Sequence, residues 1–331
     1  MQKNSESTKR RFISVQKFLA LGTLVILYIF FSLFGKNFLS ASTLVNILDS
    51  SYFIGFLAIG VTFVIITGGI DLSIGAVMMC AALIGGVAYN VWHWPIALGL
   101  VLVVAVAALF GLINGILVAK LKLPPFIATL GTQMVAMGFG AIVSKVMTMR
   151  FPTVTDPNGW FKFIFFKTPG GFPIGAVWLA AYFILGYIIL NKTRLGRYTY
   201  AIGSNEEATR LSGVKTDHWK MMVYIISGFS AGLAAIVYSA AYTSIIPGTG
   251  GGTEMLPIAG VVIGGTSLSG GVGTMSGTII GVFIMSILKQ GLMSMNLQAQ
   301  WQTFFTGIVV IGAVLLDLYR NKKANEINLT K

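Results

Sequence analysis

The stretch TGGIDLSIG, Thr67 to Gly75, sets an aspartate and three glycines between two uncharged apolar runs. The chain around it is 55% hydrophobic and only 10% charged over 331 residues, too little polar surface to cover a water-soluble globule. Its mean hydropathy is +0.82. The apolar runs approach the roughly 20 residues that an α-helix needs to cross a hydrocarbon core. They are continuous, without the alternation of a membrane barrel. The composition therefore reads as an all-α polytopic membrane protein, in which an aspartate among apolar neighbours is costly unless it has a partner.

Reading from charge to charge gives ten transmembrane or broken helices: Phe18 to Phe34, Ser50 to Thr67, Leu72 to Val91, Ile96 to Ala119, Pro124 to Ser144, Phe172 to Asn191, Met221 to Tyr242, Ile258 to Leu268, Met275 to Ile287 and Trp301 to Leu316. The eighth is too short to span alone. Basic residues set the orientation. Lys3, Lys9, Arg10, Arg11 and Lys17 mark residues 1–17 as a cytoplasmic segment, and Arg320, Lys322, Lys323 and Lys331 mark 320–331 as a cytoplasmic tail. Residues 18–319 form the membrane domain between them, with 192–220 as a basic cytoplasmic loop. Lys145, Arg150, Lys162 and Lys167 dissent, because this threading puts residues 145–171 outside. The amino terminus reads as a retained span, with no small-residue cleavage site. The net charge of +13 follows from cytoplasmic bias and anionic lipid, so no nucleic acid is implied.

The opening stretch has a counterpart. Gly68, Gly69, Ile70, Asp71, Leu72, Ser73, Ile74 and Gly75 align with Gly264, Gly265, Thr266, Ser267, Leu268, Ser269, Gly270 and Gly271, matching at five of eight positions. Both copies follow a Val/Ile-rich run and precede another apolar segment, so both read as helix, glycine break, helix. Six spans separate them, and an even offset means a parallel internal repeat. Backbone that stops being helical at membrane depth must be buried in protein or line water. Glycine ends the first helix, and Asp71 or Ser73 accepts the amides that start the second. One reading makes these ordinary turns with Asp71 as a cap. The other places Gly68, Gly69, Asp71, Ser73, Gly264, Gly265, Ser267 and Ser269 beside a translocation path.

The basic loop reads NKTRLGRYTYAIGSNEEATRLSGVKTDHWK. Ser204 with Glu207 three residues later is a capping-box pattern, and Gly213 is a helix terminator. Between them the sequence predicts about two turns of helix, with Ala208 and Leu211 on one face and Glu206 paired to Arg210 at i, i+4. So short a helix is unstable alone and calls for a docking partner. Cys80 is the one cysteine, and His93 and His218 stand apart, so neither a disulfide nor a metal site is expected, and no cofactor. The amides Asn114, Gln133 and Gln290 read as joints between helices.

These residues carry a resemblance. NEEATRLSG resembles the loop by which bacterial ABC-importer permeases contact their ATP-hydrolysing subunit, E-A-A followed by three residues and Gly; Glu207, Ala208 and Gly213 match, and Thr209 departs from the second Ala. GGIDLSIG, LPPFIATLGT (Leu123 to Thr132), the loop just quoted and VVIGGTSLSGGVGT (Val261 to Thr274) together resemble the permeases for ribose, galactose, xylose and related monosaccharides, over about Asn37 to Tyr319. Where that family has E-L-D-A-I-A, this chain has Glu254, Met255, Leu256, Pro257, Ile258 and Ala259. The acidic residue within the motif is replaced by Leu, which puts in doubt any role inferred for a carboxylate there.

The resemblance implies a bacterial inner-membrane permease with no catalytic residue of its own. It implies an ABC ATP-binding subunit docked on Ser204, Glu206, Glu207, Ala208, Arg210, Leu211 and Gly213, a periplasmic or lipoprotein sugar-binding protein, and a second permease copy, identical or related. The chain holds no GxxxxGK[ST] phosphate loop, and few ionisable residues lie among its spans to drive proton coupling. The rival readings are a branched-chain amino-acid ABC permease and a secondary transporter.

Overall fold

A computed structural model describes the backbone of residues 2–329, with side chains from 18 to 319 except 299, 313 and 316. The basic side chains of residues 1–17 and 320–331, on which the orientation of the termini rests, lie outside that set. The helices are α1 (Gln2–Phe34), α2 (Ala41–Ile66), α3 (Ile74–Asn90), α4 (Ile96–Gly115, continued by a π-turn at Ile116–Lys120), α5 (Pro125–Val143), α6 (Trp160–Phe165), α7 (Ile174–Lys192), α8 (Arg194–Ser204), α9 (Glu206–Leu211), α10 (Thr216–Tyr242), α11 (Met255–Ile263), α12 (Met275–Ser294) and α13 (Ala299–Leu329). Two strands, β1 (Met149–Arg150) and β2 (Ser244–Ile245), pair antiparallel.

Each of the ten spans read from the sequence has its helix, in α1 to α5, α7 and α10 to α13. Among the described residues, seven stretches within them are long and apolar enough to cross a membrane, Phe18–Phe34 and Ile74–Asn90 are shorter apolar helices, and α11 has only nine residues. The protein is a multi-pass membrane protein. Its helix ends differ from the charge-to-charge reading. α2 starts at Ala41, with Ser40 capping it through an oxygen 3.2 Å from the amide of Thr43, because Asp49 does not end the helix: Lys167 neutralises it at 2.5 Å. α10 starts at Thr216, ahead of Met221, and α11 stops at Ile263, short of Leu268.

α2 is the axis of the bundle. In its most apolar stretch 94% of the residues are buried, against 28% for α7, because α10, α12, α7 and α11 surround it. A helix apolar on every side is what that position requires. Without a hydrophobic drive in lipid, the helices associate by close packing of small residues. On α4 and α10, Gly111 and Gly228 meet so closely that a methyl group on Gly111 would lie 2.4 Å from the carbonyl of Tyr224.

Two contacts place two of the connecting segments at opposite ends of α10. The pairing of β1 with β2 holds the 145–171 segment at the end of α10 opposite to residues 192–215. An ion pair from Lys122 to Asp217 holds the α4–α5 turn at the 192–215 end.

Candidate functional site

The two glycine breaks end their first helices in the same way, one residue out of step with the sequence match. After α2, the Gly68 amide donates to the Ile65 carbonyl (2.9 Å) and the Gly69 amide to the Val64 carbonyl (3.1 Å), with Gly68 at φ +77°. After α11, the Gly265 amide donates to Val262 (2.9 Å) and the Thr266 amide to Val261 (3.1 Å), with Gly265 at φ +95°. Both are Schellman endings, which need a residue that tolerates the left-handed region. Gly68 therefore corresponds to Gly265, and the aligned partner Gly264 does other work. A methyl group there would strike the Gly277 carbonyl at 2.2 Å, so Gly264 lets α11 lie against α12.

Asp71 is buried and fully partnered. One carboxylate oxygen accepts from the Ser73 amide (3.0 Å) and hydroxyl (2.6 Å), and the other from the Ser227 hydroxyl on α10 (2.7 Å). Asn114 on α4 donates to the Ser73 oxygen at 2.8 Å. Asp71 thus receives the amide that opens α3, while Ser73 makes no side-chain cap. In the second break Ser267 stands where Asp71 aligns, and the carboxylate comes from another helix: Asp317 on α13 accepts from the Ser267 hydroxyl (3.2 Å) and the Leu268 amide (3.1 Å). The Ser267 oxygen also receives the Ser269 amide at 3.2 Å, and Thr274 caps α12 by accepting from Gly277 at 3.1 Å. Each break is thus satisfied by a carboxylate and hydroxyls, as non-helical backbone buried away from water demands.

The breaks touch each other and the end of α8. The Gly271 amide donates to the Ile66 carbonyl at 2.8 Å. Gly203 on α8 sits between them: a methyl group there would lie 1.8 Å from the Ile66 oxygen and 2.5 Å from the Gly271 nitrogen. One turn earlier, Tyr200 donates its hydroxyl to the Gly273 carbonyl at 2.7 Å. Neither Gly203 nor Tyr200 was singled out from sequence, although both lie in the quoted loop.

Beyond α8 the structure corrects the local reading. Ser204 closes α8, and Asn205 is the residue that starts α9, its side-chain oxygen accepting from the Ala208 amide at 2.9 Å. Asn205 turns to extended backbone between the two helices, which puts the capping position one residue later than the Ser204–Glu207 spacing suggests. The charge pairing differs too. Arg210 reaches Glu207 at i, i+3 (2.7 Å), and Glu206 pairs with Lys220 of α10 at 2.9 Å. The Glu207 pair raises the already high pKa of the Arg210 guanidinium. Gly213, at φ +83°, terminates α9 as expected. Thr209 faces inward, whereas Glu207, Ala208, Arg210, Leu211, Ser212 and Gly213 are exposed, Leu211 by 80%.

A sequence model described as "Branched-chain amino acid transport system / permease component" matches residues 43–314. The chain belongs to this permease family. It is similar to the ribose import permease protein of Escherichia coli strain K12, 37% identical over 91% of this chain and 92% of that one. The ribose import permease protein of Bacillus subtilis strain 168 is 38% identical over the same shares, and the fructose import permease protein of Rhizobium meliloti is 34% identical over 88% of this chain and 81% of that one. The family thus includes the amino-acid rival by its description, while these relatives carry the names of sugars.

Proposed function

We propose that this permease forms the inner-membrane path of an ATP-driven monosaccharide importer, and that a separate ATPase subunit drives it through α8 and α9. The sugar class rests on relatives named for ribose and fructose import that match along nearly the whole chain. The observation that carries the coupling is the seat of Gly203 between the Ile66 carbonyl and the Gly271 amide, which ties the end of α8 to both helix breaks at once. α9 offers the partner an open face with Leu211 at its centre, the i, i+3 surface by which a short helix docks in a groove. In this reading residues 192–220 and both termini are cytoplasmic. A binding protein delivers the sugar from the opposite side, and a second permease copy completes the path.

ATP binding would bring the two ATPase subunits together and shift α8–α9. Because packed glycine contacts have no slack, the displacement passes to the two breaks, where few residues need change conformation to alter the path. The chain itself only transmits and conducts. The test is to purify the tagged protein from its native membrane in mild detergent, with and without Glu207→Lys, and to measure ATP-dependent uptake of labelled ribose and fructose. An ATPase recovered with the native chain and lost with the variant is expected. A native chain that comes out alone and carries solute without ATP would establish a secondary transporter instead.

A further inference from the structure

Besides Asp71 and Asp317 the bundle buries a further carboxyl group, that of Glu254, which is partnered differently. Glu254 is 3% exposed at the start of α11, where Oε1 accepts from the Gln133 amide group (3.2 Å) and the Gly252 backbone amide (3.1 Å). Its other oxygen, Oε2, is buried with no hydrogen-bond partner among the described residues. Both oxygens of Asp71 are satisfied, as a structural carboxylate's must be. None of the ion pairs among the described residues includes Glu254. A buried acceptor left open in this way calls for an explanation.

Its depth is set by its neighbours. Gln133 is the ninth of the 19 residues of α5, so it lies near the middle of a membrane-length helix. α11 runs from Glu254 for nine residues, about 13 Å, to the second break, which makes it a half-span starting near mid-depth. A methyl group on Gly75, in the first turn of α3, would lie 3.0 Å from the Glu254 nitrogen, so two helix N-termini converge at this carboxylate. The chain reaches it from the β2 side through Pro247 to Thr253, in which Gly248, Gly250 and Gly252 all have positive φ (+75°, +112° and +87°). Nothing lies within 4 Å of where a side chain on Gly248 or Gly252 would project, whereas a methyl group on Gly250 between them would lie 2.9 Å from Met79 and 3.0 Å from the Gly75 carbonyl, so the segment is seated on α3.

We infer that Glu254 and Gln133 form a mid-membrane station that binds the hydroxyl groups of the transported monosaccharide. This rests on the reading under Proposed function. A carboxyl group beside a side-chain amide offers several hydrogen-bonding atoms within a short span, which suits the paired hydroxyls of a polyol. One open oxygen gives a weak, transient contact, suited to a station that must release its cargo.

The test uses the complete importer in native-membrane vesicles. Uptake per ATP hydrolysed is measured for whichever of labelled ribose, fructose, galactose or xylose the unaltered chain carries, and for its singly deoxygenated analogues, with Glu254→Gln and Gln133→Leu. The expected result is a fall of at least about tenfold for the full sugar with Glu254→Gln, the size a charge-assisted hydrogen bond carries, and a much smaller fall for the one analogue that lacks the contacting hydroxyl. Gln133→Leu, which keeps Glu254, shows the same pattern more weakly and serves alone if Glu254→Gln does not assemble. Unchanged uptake, or an equal fall for every sugar, would overturn the station and make Glu254 structural. If the unaltered importer carries none of ribose, fructose, galactose and xylose while its ATPase turns over, the monosaccharide reading fails before the variants are considered.

Discussion

The amide of Gly271 donates to the carbonyl of Ile66 at 2.8 Å, so the end of one broken helix is hydrogen-bonded to the loop of the other. A carbonyl that the end of α2 leaves without an intrahelical donor is thereby satisfied inside the protein. Gly203 leaves the space that makes this contact possible.

Gly203→Ala places a methyl group 1.8 Å from the Ile66 oxygen, against backbone that cannot turn away. Overpacking of this kind costs about 1–3 kcal/mol. The variant is expected to lower thermal stability in detergent and to reduce sugar uptake by roughly tenfold or more while the ATPase subunit still co-purifies. Loss of the subunit instead would place the role of Gly203 in docking.

Asp71→Asn replaces an acceptor oxygen with an amino group that faces hydroxyl or amide donors. Hydrogen bonds to charged groups contribute about 1.5–3 kcal/mol each, so denaturation should show a loss of a few kcal/mol, with Ser227→Ala losing less. Removing the Ser227 hydroxyl and Asp71 together should cost less than the sum, because the two share a bond of 2.7 Å.

Leu211→Asp leaves the fold alone, since the side chain is 80% exposed. Its melting temperature is expected to match that of the native chain, whereas recovery of the ATPase subunit falls sharply. Asn205→Ala should act differently, fraying α9 by about 1 kcal/mol through loss of its cap.

Thr155→Cys and Ser212→Cys test the sides directly. Both positions are exposed, and Cys80, the protein's own thiol, is buried. A membrane-impermeant maleimide is expected to label position 155 in intact cells and position 212 only in inverted vesicles. Labelling of both from one side would overturn the threading.

At Asp156 the Thr153 amide (2.7 Å) and hydroxyl (2.9 Å) hold the carboxyl below the usual aspartate range. A lowered folded pKa means that the turn's stabilisation is fully present above the ordinary aspartate value and is lost as pH falls through the lowered one. Hydrogen exchange at the Thr153 amide should stay protected under mildly acidic conditions and open only below them. In Asp156→Asn that pH dependence should vanish.

The spans were legible in the sequence because twenty apolar residues in a row have few other uses. Their ends were not, since Asp49 looks like a terminus until Lys167, 118 residues away, is seen beside it. The glycine breaks were found by their repeat, yet the match of Gly68 to Gly264 was one residue off the Schellman geometry, which depends on φ and leaves no mark in residue type. Asn205 was passed over for Ser204 because both are good caps and only the backbone turn between α8 and α9 chooses. Asp317 stayed hidden for a different reason: it replaces in space what Asp71 supplies in its own loop.

The bond from Ser227 to Asp71 joins residues 156 apart in the chain. At a synthesis rate of 5–20 residues per second, the aspartate emerges roughly 10–30 s before its partner on α10 exists. During that interval the first break has only its own serine and Asn114 to hold it, and α3 cannot take its final position in the lipid. Synthesis of this protein therefore passes through an interval in which the Asp71 carboxylate exists without its partner on α10.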